Sequence, residues 1–195
     1  MKIVLINYGA GNIQSILFAL ERLQVKAVLS DDPEEIRSAD LVIFPGVGEA
    51  SSAMAKLKAT GLDTLIAALE QPVLGICLGM QLMCNYTEEG NTDGLGIFDT
   101  SVRRFPDSVK VPQIGWNTIT ELKSPLFQGI EEGSHVYTVH SYYAPLCDNT
   151  IAVSEYAGPY SAALQQDNFY GVQFHPEKSS AVGSLILSNF LKMGS

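Results

Sequence analysis

Three apolar runs, each followed by a segment long enough for a helix, constrain this fold more than any other feature. They are Lys2-Ile3-Val4-Leu5-Ile6-Asn7-Tyr8, Asp40-Leu41-Val42-Ile43-Phe44 and Val73-Leu74-Gly75-Ile76-Cys77. None alternates apolar with polar residues, so each reads as a strand covered on both faces. After the first run, Ile13, Ile16, Leu17, Leu20 and Leu23 recur at helical spacing, with Asn12 placed as a helix N-cap. Residues 25–29 read as a further short strand, and residues 50–59 and 63–70 as helical. The pattern is βαβ, repeated. Its crossovers are long enough for helices, which implies a parallel sheet with helices on both faces. The expected fold is α/β, a mostly parallel central sheet flanked by helices. Such sheets bind ligands at the carboxyl ends of their strands, where both Cys77 and Pro45-Gly46-Val47-Gly48 fall.

The texture changes after about Asn85. Asn91, Asp93, Gly94, Gly96, Asp99, Pro106 and Pro112 punctuate the chain, and residues 114–119, 135–143, 151–156, 161–165 and 169–174 read as shorter strands. Asp167-Asn168 reads as a hairpin turn. These segments imply added antiparallel strands in the C-terminal half. A last helix begins near Ser179 or Ser180, with Val182, Leu185, Ile186, Phe190 and Met193 as its apolar face, and Gly194-Ser195 is free to fray. The 195 residues fit one domain, 1–195. No apolar run approaches the roughly 20 residues that span a bilayer. The first strand starts at Lys2, leaving no room for a signal peptide, so a soluble, cytoplasmic chain is expected. A formal charge of −9 argues against broad binding to nucleic acid or acidic membranes. Cys77, Cys84 and Cys147 form no disulfide framework, and His135, His140 and His175 have no zinc-like spacing with them, so no metal is expected. Gly9-Ala10-Gly11-Asn12 does not match dinucleotide glycine spacing, which excludes a nicotinamide cofactor.

Cys77 lies in Gly75-Ile76-Cys77-Leu78-Gly79, on a strand-to-helix turn. Such a turn holds its residue out of the sheet beside backbone N–H groups, and the flanking glycines remove bulk. The chemical reading is a cysteine nucleophile; the plain one is a buried core cysteine. A nucleophile needs a base, a group that orients the base, and donors for an oxyanion. His175 ends an apolar strand, and Glu177 lies two residues on, across Pro176, within reach of the far ring nitrogen; a satisfied surface turn is the other reading. His140 is either a rival base or a polar lining residue, and His135 is structural or partly exposed. Cys84, seven residues beyond Cys77, reads as a core thiol on the following helix, and Cys147 as an unactivated loop thiol. Gly46, Val47 and Gly48 either offer backbone N–H groups to an oxyanion, together with that of Leu78, or merely link a strand to a helix.

These residues resemble the triad-type, class I glutamine amidotransferases over essentially the whole chain. Gly75-Ile76-Cys77-Leu78-Gly79-Met80-Gln81 resembles the family's nucleophile motif, and His175-Pro176-Glu177-Lys178-Ser179 its base-and-orienter motif. Within the family, Tyr8-Gly9-Ala10-Gly11-Asn12, Pro45-Gly46-Val47-Gly48, Pro112-Gln113-Ile114-Gly115-Trp116-Asn117 and His140-Ser141-Tyr142 are most similar to the glutaminase subunits of imidazole glycerol phosphate synthases. The resemblance implies a flavodoxin-like fold, with Cys77 as nucleophile, His175 as general base and acid, and Glu177 as orienter. It implies glutamine binding by Gln81 and the backbone around His140, Ser141 and Tyr142, and an oxyanion strand at Gly46, Val47 and Gly48 whose Val47 N–H has to turn inward. No cofactor is implied. The implied partner is a cyclase subunit, a (β/α)8 barrel that receives ammonia, and Asn12, Gln14, Ser15, Trp116, Asn117, Tyr137 and Lys178 are the expected interface residues, Trp116 being equally suited to the core. The rivals are glutaminases feeding pyridoxal phosphate, anthranilate or aminodeoxychorismate synthesis, and a regulatory subunit with a dead site.

Overall fold

The apolar runs become strands shorter than the runs themselves. In the computed structural model, which describes residues 1–9 and 12–194, they form β1 (Ile3–Ile6), β3 (Leu41–Phe44) and β4 (Val73–Ile76), with every residue of each buried. Ala10, Gly11 and Ser195, and with them the middle of the expected first turn and the Ser195 half of the expected fraying, lie outside the described residues, whereas Gly194 closes a 3-10 turn against Leu41. Between the strands come α1 (Ile13–Arg22), β2 (Ala27–Ser30), α2 (Pro33–Arg37), α3 (Ala50–Thr60) and α4 (Leu62–Ala67). After β4 follow α5 (Leu78–Met83), β5 (Cys84–Thr87), β6 (Thr92–Asp93), β7 (Phe98–Arg104), β8 (Gln113–Ile119), β9 (Ser134–His140), β10 (Tyr142–Tyr143), β11 (Thr150–Glu155), β12 (Pro159–Gln166), β13 (Phe169–Val172) and α6 (Ser180–Leu191).

The central sheet has seven strands in the order β11-β12-β13-β4-β3-β1-β2. The five from β13 to β2 run parallel, and β12 and β11 add antiparallel strands at one edge, as the texture of the C-terminal half implied. Alternate residues of each inner strand feed two separate cores. Val4, Ile6, Val42 and Phe44 pack with Met54 and Leu57 of α3 and Leu65 and Ile66 of α4. Ile3, Leu5, Leu74 and Ile76 pack with Ile16 and Leu20 of α1 and Ile186 and Phe190 of α6. This two-sided burial is why those strands read as continuous apolar runs.

Several expectations are corrected. Residues 84–104, where no strand is expected, hold β5, β6 and β7, which join β10 in a second, four-stranded sheet. Cys84 is fully buried, but it opens β5 and is not on the helix, which ends at Met83. The short helix α2 has no counterpart among the expected elements; Asp32 caps it by accepting from the Glu34 N–H, with proline in its first turn. The buried face of α6 includes Leu187 as well as Ile186 and Phe190, whereas Val182, Leu185 and Met193 are only half-buried. Trp116 is not a core residue: it is 54% exposed, beside Ile114 at 60%.

Candidate active site

Cys77 sits between β4 and α5 with φ 54° and ψ −110°, a positive φ that costs a non-glycine residue energy and persists only where neighbours impose it. They do so through the backbone: the Cys77 N–H donates to the Val172 carbonyl at 2.8 Å, and the Cys77 carbonyl accepts from the Gln81 N–H at 3.2 Å. The turn is tight enough that a Cβ on Gly79 would collide with the Phe44 carbonyl, and one on Gly75 with Met83 and the Met80 nitrogen. These glycines are therefore required by close approach.

Beside Cys77, three residues beyond the end of β13, stands His175. Its Nδ1 donates to Glu177 Oε1 at 2.9 Å, and its ring lines the same cavity as Cys77. Burial alone would lower the pKa of this imidazole, but the contacts with Cys77 and Glu177 outweigh it and push the pKa up to about 10. A 3-10 turn over Pro176–Lys178 carries Glu177 back under the ring. Ser179 locks that turn, donating to the His175 carbonyl at 2.7 Å and accepting from the Tyr137 N–H at 2.9 Å. Glu177 has a second donor that the local sequence gives no sign of. Asn12 has αL geometry (φ 64°) and makes no side-chain cap on α1; instead its Nδ2 donates to Glu177 Oε1 at 3.0 Å, while its Oδ1 accepts from Ser15 Oγ at 2.6 Å. The expected N-cap is thus a strut to the carboxylate. Glu177 Oε2 is buried with no hydrogen-bond partner among the described residues.

Cys77 and His175 open onto one cavity of about 350 Å³, large enough for a small-molecule substrate. Val47, Gly48 and Leu78 line one side of it, Gln81 and Glu89 another, and His140, Ser141 and Tyr142 a third; Asn12 and Lys178 reach its rim. Gly46 does not face the cavity; it packs on Leu78 and Gly79. Its carbonyl accepts from the Leu78 N–H at 3.3 Å. The Gly46–Val47 peptide is trans, and in a trans peptide N–H and C=O point in opposite directions. The Val47 N–H therefore points away from the elbow, and the Leu78 N–H is already engaged. Gly48, at φ +103°, supplies freedom next to that peptide.

His140 is held neutral. Burial, chiefly, and the nearby His175 lower its pKa to about 4, while Nδ1 donates to the Tyr142 carbonyl at 2.7 Å. Its ring packs against Phe105 and Tyr160. Both histidines line the cavity, and their environments push their pKa values apart. The carboxyl of Glu89 is absent from the expected site; half-buried beside the cavity, it is raised in pKa by burial and accepts from the Ala50 N–H at 3.0 Å. Gln173, also absent from it, directly follows β13 and reaches the Cys77 sulfur. Among the expected interface residues, Trp116 and Tyr137 form an edge-to-face pair 5.9 Å apart, Gln14 is exposed, Ser15 is bonded to Asn12, and Asn117 is tied down by donating to the Glu155 carbonyl at 3.1 Å. His135 is exposed, and Cys147 is half-buried.

A doubly wound sheet with a strained cysteine at the carboxyl end of a central strand is the scaffold of an amidotransferase. The family profile "Glutamine amidotransferase class-I" matches residues 4–193, and the chain belongs to that family. It is 56% identical over 196 residues to the imidazole glycerol phosphate synthase subunit HisH of Bacteroides fragilis (strain YCH46), covering 99% of this chain and 100% of the relative. It is 44% identical, at the same coverage, to the subunit of that name from Yersinia pseudotuberculosis. A glutamine amidotransferase from Thermotoga maritima has the same fold, with a TM-score of 0.66 at 18% identity over 98% of this chain and 83% of that one. So does PurLQS from Thermotoga maritima, with a TM-score of 0.75 at 16% identity over 98% and 97%. No helix among the described residues is long and apolar enough to cross a membrane.

Proposed function

We propose that this chain, acting as one cytoplasmic domain, is the glutaminase subunit of an imidazole glycerol phosphate synthase. The observation that carries this reading is the meeting of Cys77 and His175 at one cavity, with Glu177 bonded to the His175 ring, in a chain with more than half its residues identical to such a subunit. The Cys77 sulfur attacks the side-chain amide carbon of glutamine. His175, held by Glu177, protonates the leaving nitrogen, and ammonia departs. Water activated by His175 then cleaves the thioester to glutamate. Both amide hydrogens of Gln81 are committed, to the Tyr142 carbonyl and to Gln173, which leaves its oxygen as an acceptor for substrate. That oxygen and the Glu89 carboxylate suit the α-ammonium group of glutamine, and the backbone N–H groups near Ser141 and Tyr142 suit its carboxylate. Replacement of Glu89 by glutamine is expected to raise KM for glutamine roughly 10- to 100-fold, the range for a lost hydrogen bond to a charged group, with kcat little changed. Initial-rate kinetics test this; an unchanged KM removes Glu89 from the substrate site.

The ammonia acceptor belongs to a partner, a (β/α)8 cyclase. There the ammonia reacts with a phosphorylated ribulosyl-imidazole carboxamide intermediate to yield imidazole glycerol phosphate and aminoimidazole carboxamide ribotide. The exposed Ile114 and Trp116, with Tyr137, Gln14 and Lys178, are the proposed docking residues; Pro112 borders both the cavity and the depression that holds Ile114 and Trp116, so a partner seated there covers the cavity mouth. The outward Val47 N–H supports a coupling between docking and chemistry. Rotation of the Gly46–Val47 peptide would free the Leu78 N–H and bring in a second oxyanion donor, and one such donor is worth roughly 100- to 1,000-fold in kcat. Glutamate release is accordingly expected to rise about 100-fold when a purified cyclase subunit is added. Equal rates with and without it would remove the coupling, and no stimulation by the histidine-pathway cyclase alongside stimulation by another synthase partner would favour the rival glutaminases.

A further inference from the structure

The sulfur of Cys77 has a neighbour that the triad does not explain. Gln173 is completely buried, and its Nε2 lies 3.8 Å from Cys77 Sγ. Its Oε1 accepts from Gln81 Nε2 at 2.8 Å, and Gln81 Nε2 also donates to the Tyr142 carbonyl at 2.9 Å. The two ends of a side-chain amide have nearly the same shape, so the partners must decide which end points where. Here one group decides for all. A backbone carbonyl can only accept, so Gln81 turns its NH2 to Tyr142. The second hydrogen of that NH2 goes to Gln173, which must therefore offer its oxygen. The only end of Gln173 left for the sulfur is its NH2. Tyr142 thus dictates, through two side chains, that Cys77 faces a donor. On another side the sulfur lies 3.8 Å from the Val139 carbonyl, which can hold only a thiol hydrogen.

We propose that Gln173 is a further catalytic residue: its amide N–H aims the Cys77 sulfur at the cavity and stabilises negative charge on it. Charge resides on sulfur twice in the cycle that the proposed glutaminase reading assigns, on which this inference rests. The first time is before attack on the amide carbon. The second is when the thioester C–S bond breaks and its electron pair returns to sulfur. A neutral donor serves both moments without exchanging a proton, so it does not compete with His175. A hydrogen bond to a charged atom outweighs a neutral one, and the buried setting strengthens it further.

The test uses the full chain with its cyclase partner and two variants. Gln173→Glu keeps an oxygen for Gln81 but presents a second oxygen, not an N–H, to the sulfur. It is expected to lower kcat roughly 10- to 100-fold with KM within about twofold. Gln173→Met removes both contacts, so kcat falls similarly and KM rises because Gln81 loses its support. As a second readout, carboxamidomethylation of Cys77 by iodoacetamide, followed by mass spectrometry in the absence of glutamine, is expected to slow by a similar factor in both variants. If a buried carboxylate prevents Gln173→Glu from folding, alkylation of Gln173→Met at an unchanged melting temperature decides. Wild-type kcat and wild-type alkylation in the folded variants overturn the proposal. Slowed alkylation in a chain that fails to hydrolyse glutamine, even with the cyclase, overturns the glutaminase reading and leaves the sulfur donor in place.

Discussion

Cys77→Ala is expected to abolish glutaminase turnover, with kcat falling at least about 10,000-fold, because no covalent intermediate can form and the remaining groups act only by binding and polarisation. The other thiols do not substitute. Cys84 is fully buried, with its pKa driven far up by burial and by Cys147, and Cys147 does not line the cavity. Ser141 does line it, but it does not sit on the strained elbow that holds Cys77. The substitution separates chemistry from folding. Alanine keeps the positive φ at position 77, so the strain of the elbow remains and the melting temperature should stay close to that of the wild type. Cys77→Gly should lose the same activity while gaining stability, since glycine adopts φ 54° without the Cβ penalty. Glutamate release in the presence of cyclase, alongside thermal unfolding, tests both. Turnover above about one percent of wild type in Cys77→Ala would move the nucleophile elsewhere.

The parts of this structure that are legible in the sequence are those whose cause is local. A strand buried on both faces has to be a continuous apolar run, and β1, β3 and β4 are visible for that reason. A turn that brings Cβ positions against backbone has to use glycine, and Gly75 and Gly79 bracket Cys77 accordingly. The small sheet is hidden because β5 and β7 pair with a register irregularity between Cys84 and Tyr86, which breaks the two-residue alternation that marks a half-buried strand. The helix α2 carries an N-cap and a proline signal, but five residues are too few for periodicity to show. Capping is a local rule, and it assigns Asn12 to the helix beside it. The actual partner of Asn12, Glu177, lies 165 residues away. The orientation of the Gly46–Val47 peptide is a single rotation with no sequence signature, since the same two glycines permit both states. Trp116 is ambiguous in sequence because an indole suits a core and a docking face equally, and only the assembled strand pair shows which way it points.

Glu177→Gln tests the part of the site that depends most on charge. The carboxylate takes two N–H donors on one oxygen, from His175 Nδ1 at 2.9 Å and Asn12 Nδ2 at 3.0 Å, while its other oxygen is buried without a partner among the described residues. An amide there has two choices, both poor. With its oxygen toward the donors it keeps the geometry but places an NH2 where no acceptor waits. Reversed, it sets N–H against two N–H groups. Neither arrangement carries the negative charge that, with Cys77, raises the pKa of His175 to about 10 against the effect of burial. The proton on His175 is then held less tightly, and the alkaline limb of the pH–rate profile should move to lower pH. The expected kcat loss is roughly 100- to 10,000-fold with little change in KM, as when an orienting carboxylate is neutralised in a related triad. Linkage fixes the sign of the stability effect. A histidine whose folded pKa lies above its unfolded value of about 6.5 stabilises the fold below that value, and this contribution is lost as the pH rises through the folded pKa. The melting-temperature deficit of Glu177→Gln should therefore be largest near pH 6 and shrink toward pH 10. A deficit that grows with pH, or a turnover equal to wild type across the range, would mean that Glu177 neither charges nor orients His175.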